Sequence, residues 1–195
     1  MNRATALRLV AVAGFVFACA LVALGARWPG YSHLAHPVAL PGAAGVEGAW
    51  LFNAMVFVLP GALLAAVALW LRSTLSAAGW WPRIGANLLL LSALAFMGQG
   101  LLPLDADDFD ATASRLHAAA WTVWLIAFAV GAPMFAQVAE RARLPLRVGA
   151  MAVLLVALFG AFFLPVGVAQ RLAFLGWFAW MWGAVKAVKA VPAEA

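Results

Sequence analysis

Apolar stretches alternate with short polar breaks along this chain, and six are long enough to cross a bilayer, at about residues 7–26, 49–71, 84–102, 116–138, 148–164 and 172–188. A crossing takes about 20 apolar residues for about 30 Å of hydrocarbon, and in lipid the backbone must satisfy its own hydrogen bonds, so each stretch predicts a helix. The last two are the shortest and reach the interface through snorkelling charged flanks. The pattern therefore predicts an all-α integral membrane protein, a single six-transmembrane-helix bundle over residues 1–195. The first stretch follows Arg3 and Arg8 and ends in Ala23-Leu24-Gly25-Ala26, which imitates a signal peptide, but it is long for such a segment and reads as a span. A lipoprotein site at Cys19 is disfavoured by the bulky Phe17, so Cys19 reads as a packed helix residue.

Composition removes the soluble alternatives. With 67% of residues hydrophobic, 10% charged and a mean hydropathy of +1.01, a water-soluble domain of this length has nowhere to put its apolar surface. The net charge of +5 does not signify nucleic acid, because the basic residues flank apolar segments singly or in pairs. They read as topology signals and contacts to anionic lipid. Nine of the 12 Lys and Arg residues fall on one side: Arg3, Arg8, Arg72, Arg83, Arg141, Arg143, Arg147, Lys186 and Lys189. Arg27, Arg115 and Arg171 fall on the other, with Glu47, Asp105, Asp107, Asp108 and Asp110, whereas Glu140 and Glu194 lie on the basic side. The positive-inside rule places both termini in the cytoplasm. Trp28 and Trp50 mark the outer interface, and Trp70, Trp80 and Trp81 the inner one.

Candidate chemistry collects on the outer side. The first outer loop, 27–48, is long and apolar and predicts a segment folded back over the helix ends, with Tyr31, Leu34, Val38 and Leu40 covered. His33 and His36 are spaced to share one side of a helical turn, and Asp105 and His117 flank the loop between the third and fourth spans. Three imidazoles and a carboxylate form a competent zinc set, with His33, His36 and His117 as metal candidates. Against this, Pro37 disfavours a helical turn at His36, and the alternative is an interfacial loop with two solvated or backbone-bonded histidines. The acidic cluster at Asp105, Asp107, Asp108 and Asp110 lacks the glycine and distal glutamate of a calcium loop and reads as solvated. Haem is not expected, because all three histidines lie at one edge of the membrane.

Inside the spans the polar residues are Asn53, Asn87, Ser92, Gln99, Thr122 and Gln137, with no ionisable group near a span centre, which argues against a proton-coupled transporter or ion pump. Asn53 and Gln99 lie beneath the outer loops and either extend a site inward or bond helix to helix. Pro60, Pro133 and Pro165 are candidate kinks in spans two, four and five.

Several short motifs occur in a shared order: Gly30-Tyr31-Ser32-His33-Leu34, Phe52-Asn53, Leu59-Pro60-Gly61, Gly100-Leu101-Leu102-Pro103-Leu104-Asp105 and Leu116-His117-Ala118-Ala119-Ala120-Trp121. Together they resemble the bacterial membrane family catalogued as domain of unknown function 998. The resemblance implies a six-helix bundle in the bacterial inner (cytoplasmic) membrane, with a Ser in the first outer loop and an Asp and a His on the second that map onto Ser32, Asp105 and His117, candidates for a catalytic role. It implies no established activity. A more distant likeness in layout is to the Frag1 and DRAM group of six-span proteins.

Two function classes follow. One is a non-enzymatic protein that binds membrane lipid or a small amphiphile, or serves as an accessory subunit to a membrane-protein partner or to its own copies, with Asn53, Gln99 and Tyr31 as ligand contacts. The other is a metal-dependent hydrolase of a lipid head group, in which His33, His36 and His117 hold zinc, Asp105 is ligand or base and Ser32 orients.

Overall fold

The computed structural model describes residues 1–75, 78–138 and 140–188, and all the regular structure among them is helical. Lys189 and Glu194, used in the charge count, lie outside the described residues. Six long helices follow in order: α1 (Arg3–Gly25), α2 (Ala49–Ser73), α3 (Trp80–Leu101), α4 (Thr112–Phe135), α5 (Arg143–Phe159) and α6 (Val166–Ala187). All but α2 begin a turn or more before the apolar run that announced them. Apolarity marks the part of a helix in hydrocarbon, while the hydrogen-bond ladder runs on through the interface.

Five of the helices, α1 to α5, are long and apolar enough to cross a membrane. The sixth is long enough, but Gln170, Arg171, Lys186 and three tryptophans dilute its apolarity. Phe174, Trp177, Phe178, Trp180 and Met181 are all buried, and Gln170 and Arg171 turn to the loop that follows α1, whereas Lys186 is exposed. The outer surface of the bundle is apolar, with Phe15, Leu69, Ile126, Met151 and Leu155 at least half exposed. Such a belt is untenable in water and normal in lipid. The protein is therefore a multi-pass helical membrane protein. Cys19 belongs to this belt; it is exposed on α1, not packed as the sequence suggested.

Neighbouring helices close into a ring, α1 against α2 and α6, α3 against α2 and α4, and α5 against α4 and α6. The tightest seam is α3 with α4. A Cβ on Gly85 would lie 2.8 Å from the Gly131 carbonyl oxygen and closer still to the Phe135 nitrogen, so the two backbones approach almost directly. Close approach through small residues is how membrane helices gain packing energy where lipid offers no hydrophobic drive. Phe17, Phe57, Phe96, Trp124, Phe174 and Trp177 fill the middle of the ring, with centroids 5.0–6.4 Å apart in mostly tilted and edge-on pairs. This aromatic plug leaves the bundle axis packed.

The prolines act differently from one another. In α2 a π-helical turn, Ala54–Val58, immediately precedes Pro60, which has no N–H to donate. Pro133 lies within α4, whereas Pro165 sits in extended conformation (φ −53°, ψ 139°) as the residue before α6 and so starts a helix instead of bending the fifth.

Candidate functional site

The first outer loop is pinned at four places. Val38 donates its N–H to Gln170 Oε1 at 2.8 Å, and Ala44 donates to the Leu104 carbonyl of the second outer loop at 2.8 Å. Asn53, buried near the outer end of α2, donates Nδ2 to the Gly42 carbonyl at 2.7 Å. The fourth tie is Arg171, whose guanidinium donates to the His36 carbonyl at 3.2 Å, to Tyr31 Oη at 2.5 Å and to His33 Nδ1 at 3.2 Å. Gly167 makes room for this: a Cβ there would lie 2.5 Å from the His36 carbonyl oxygen and 2.6 Å from that of Leu34. Val38, Ala39, Pro41, Gly42 and Ala43 are buried as a result, but Leu34 is 64% exposed and is not covered as expected.

His33 and His36 lie on an isolated turn, closed by His36 N–H to the Ser32 carbonyl at 2.9 Å, and not on a helix. They flank the Tyr31 ring, at 5.0 and 5.7 Å between centroids. Burial holds the His33 imidazole below the ordinary histidine range and the Arg171 charge pushes the same way, against a smaller opposing pull from the Val22 backbone. Burial raises the Tyr31 phenol above its usual value, with Arg171 acting against it. The second outer loop is organised by its own side chains. Asp105 Oδ1 accepts from the Asp107 and Asp108 amides at 2.9 and 3.2 Å, and Ser114 Oγ donates to the Asp105 or the Asp108 carbonyl, at 3.1 and 2.9 Å.

Beneath these loops, a cavity of about 480 Å³ opens between the outer ends of α4 and α6. Farther in, the same seam is shut by Trp124 against Phe174 and Trp177, and by Phe128 against Trp180. Pro37, Val38, Ala39 and Leu104 roof the cavity, and Phe57, from the π-helical turn, Phe174 and Trp121 wall it. Its polar lining is Gln99, His117, Thr122 and Gln170. Gln99 is 1% exposed, and its Nε2 is buried without a hydrogen-bond partner. His117 Nδ1 lies 3.1 and 2.9 Å from the Gln99 and Leu102 carbonyls. Carbonyl oxygens only accept, so Nδ1 carries the hydrogen and the ring's remaining polar atom is Nε2. A buried donor without an acceptor is costly, and here it belongs to a residue that lines the cavity.

A family profile described as "Protein of unknown function (DUF998)" matches residues 11–185. The chain belongs to that family. No curated protein and no solved structure matches it, so the likeness in layout to the Frag1 and DRAM group gains no support.

In this DUF998 protein the residues singled out from sequence fall into three separate places. Tyr31, Ser32, His33 and His36 form the Arg171 latch, where Ser32 Oγ accepts from the Ala35 amide at 3.2 Å and His36 Nδ1 accepts from the Ser32 amide at 3.0 Å. Asp105 shapes the acidic loop and makes no hydrogen bond with His117, which turns to backbone carbonyls instead. Asn53 is spent on the loop and borders a different, shallower hollow, while Gln99 and His117 share the α4–α6 cavity. Among the described residues no group of three or more His, Cys, Asp or Glu is gathered as a metal would require, so the set proposed for zinc, His33, His36, His117 and Asp105, is dispersed. Sequence reasoning used Arg171 only as a topology charge and passed over Gln170 and Ser114. The available signal was an adjacent Gln and Arg at the start of a tryptophan-rich span, a costly placement unless something binds them.

Proposed function

We propose that this DUF998 protein binds a membrane lipid, or an amphiphile of similar shape, in the cavity between the outer ends of α4 and α6. The observation that carries the reading is Gln99, a lining residue of an otherwise largely apolar cavity, whose buried amide nitrogen has no hydrogen-bond partner. Cavities of a few hundred Å³ with a few convergent polar groups are the usual form of a small-molecule site. The opening lies on the flank of the bundle, where Ala118 and Thr122 of α4 are exposed beside the lipid-facing Leu116 and Val123, so an acyl chain can enter sideways. The packed aromatic axis favours holding a ligand over conducting one. We place the cavity in the outer leaflet of the bacterial inner membrane, with six spans and both termini cytoplasmic, on the nine-to-three division of Lys and Arg.

Native mass spectrometry of protein extracted in a mild detergent tests the binding. The wild-type chain should retain one lipid and Ala118→Trp, which fills the cavity mouth, should lose it; equal retention by both would overturn the reading. A cytoplasm-active reporter fused after Ala195 should function, and activity of a periplasmic reporter there would reverse the orientation.

A further inference from the structure

The lining of the α4–α6 cavity is neutral, and its hydrogen-bonding capacity is mixed. None of its residues is Lys, Arg, Asp or Glu. The nearest cation in sequence to the lining residue Gln170 is Arg171, which turns onto Tyr31, His33 and the His36 carbonyl and is committed there. Gln99 Nε2 is a donor without an acceptor. His117 contributes the opposite: with Nδ1 held by two carbonyls, Nε2 of the neutral ring is a lone pair awaiting a hydrogen. Gln170 Oε1 is occupied by the Val38 amide and the Thr122 hydroxyl by the Ala118 carbonyl, so both are partly satisfied already. Gln170 keeps its Nε2 donor, and the two positions left wholly open are one buried donor, Gln99 Nε2, and one imidazole acceptor, His117 Nε2.

Resting on the reading that a lipid occupies this cavity, we infer that the cavity selects an uncharged lipid with a free hydroxyl, a glyceride or a long-chain alcohol, over phospholipids. A hydroxyl is the smallest group that satisfies both open positions, since its oxygen accepts from Gln99 while its hydrogen is donated to His117 Nε2. In a glyceride the adjacent ester oxygen offers Gln99 a second acceptor. A phosphodiester brings only acceptors and charge, and a phosphomonoester brings at least one negative charge; either places an anion against the imidazole lone pair and finds no cation, in surroundings where uncompensated charge is expensive. A quaternary ammonium finds no carboxylate among the lining residues.

The test is a native mass spectrometric titration of the full chain with four probes: dioleoylglycerol, oleyl alcohol, dioleoyl phosphatidic acid and acetylated dioleoylglycerol, which lacks the hydroxyl. Dioleoylglycerol or oleyl alcohol should bind about tenfold more tightly than the phosphatidic acid and the acetylated ester, the scale of one hydrogen bond or one unpaired group. Tighter binding by the glyceride identifies glycerides as the source, and tighter binding by the alcohol identifies long-chain alcohols. His117→Phe should erase the preference for hydroxyl over acetyl, whereas His117→Gln, which can still both donate and accept, should keep most of it. Gln99→Leu should weaken both hydroxyl ligands by about tenfold. If phosphatidic acid or the acetylated ester binds the wild type as tightly, while Ala118→Trp still abolishes binding, the hydroxyl selectivity is wrong and the lipid site stands. If Ala118→Trp changes nothing for any probe, both fail.

Discussion

Replacing Arg171 with Met is expected to release the first outer loop while leaving the bundle folded. The substitution keeps an apolar stem in place of the arginine methylenes and removes three bonds to the loop, at 2.5 Å to Tyr31 Oη and 3.2 Å each to the His36 carbonyl and His33 Nδ1. Bonds from a charged donor contribute about 1.5–3 kcal/mol each in buried settings; at this half-exposed site about 1 kcal/mol each, or about 3 kcal/mol together, is the appropriate scale. That is roughly a 100-fold rise in the open population of the loop. The remaining ties, Val38 to Gln170, Asn53 to Gly42 and Ala44 to Leu104, keep the distal half of the loop in place. Hydrogen exchange read by mass spectrometry on peptides covering residues 28–40 should therefore accelerate by about that factor, with α3 and α4 unchanged. Unchanged loop exchange in a folded Arg171→Met protein would refute the latch, and uniform acceleration across all helices would make Arg171 a general stability residue instead.

Other outcomes follow from the same structure. The folded state holds His33 below the ordinary histidine range near about 6.5, so the unfolded chain takes up the proton first and loop stability should fall as pH drops through and below that value; His33→Gln should flatten the profile, read by the same exchange experiment. Gly85→Leu should lower thermal stability by at least about 2 kcal/mol, since no side chain fits between α3 and α4, and an unshifted melting curve in detergent would contradict the close approach. Asp105→Ala should loosen the second outer loop by about 1–2 kcal/mol through loss of its two amide bonds, seen as faster proteolysis near Asp108, while Asp107→Ala should not. Elemental analysis of the purified protein should find no stoichiometric zinc or iron; bound zinc that disappears in His33→Ala would reinstate a metal centre at the first loop.

The helical membrane architecture was legible because lipid makes periodic detail unnecessary: an uninterrupted apolar run has one stable outcome, a helix. Ring order and the α3–α4 contact were not, because Gly85 and Gly131 differ from the chain's other glycines only in which backbone they face. The sixth helix shows the limit from the other side. It reads as the poorest span because it carries Gln170 and Arg171 for the loop, and apolarity alone does not separate a helix facing protein from one facing lipid. At the candidate site, Gln99 and His117 were visible as polar residues near the outer end. Their grouping was not visible, because Asp105 and His117 are near in sequence yet bond elsewhere, while Gln99 and Gln170 come from distant helices. Residue chemistry named candidates, and the loop's path decided which of them share a cavity. The two histidines of the first loop had the spacing of a metal pair, but Tyr31 between them and Arg171 beneath them provide a structural use for both.

The most direct measurement is an experimental structure determined in a lipid environment with the native lipids retained. It should reveal elongated density between the outer ends of α4 and α6, with a polar end within about 3 Å of Gln99 Nε2 and His117 Nε2, an ordinary hydrogen-bond distance. A closed seam in which Gln99 has found a partner within the protein, with Trp121 packed across the opening, would contradict ligand binding at this site.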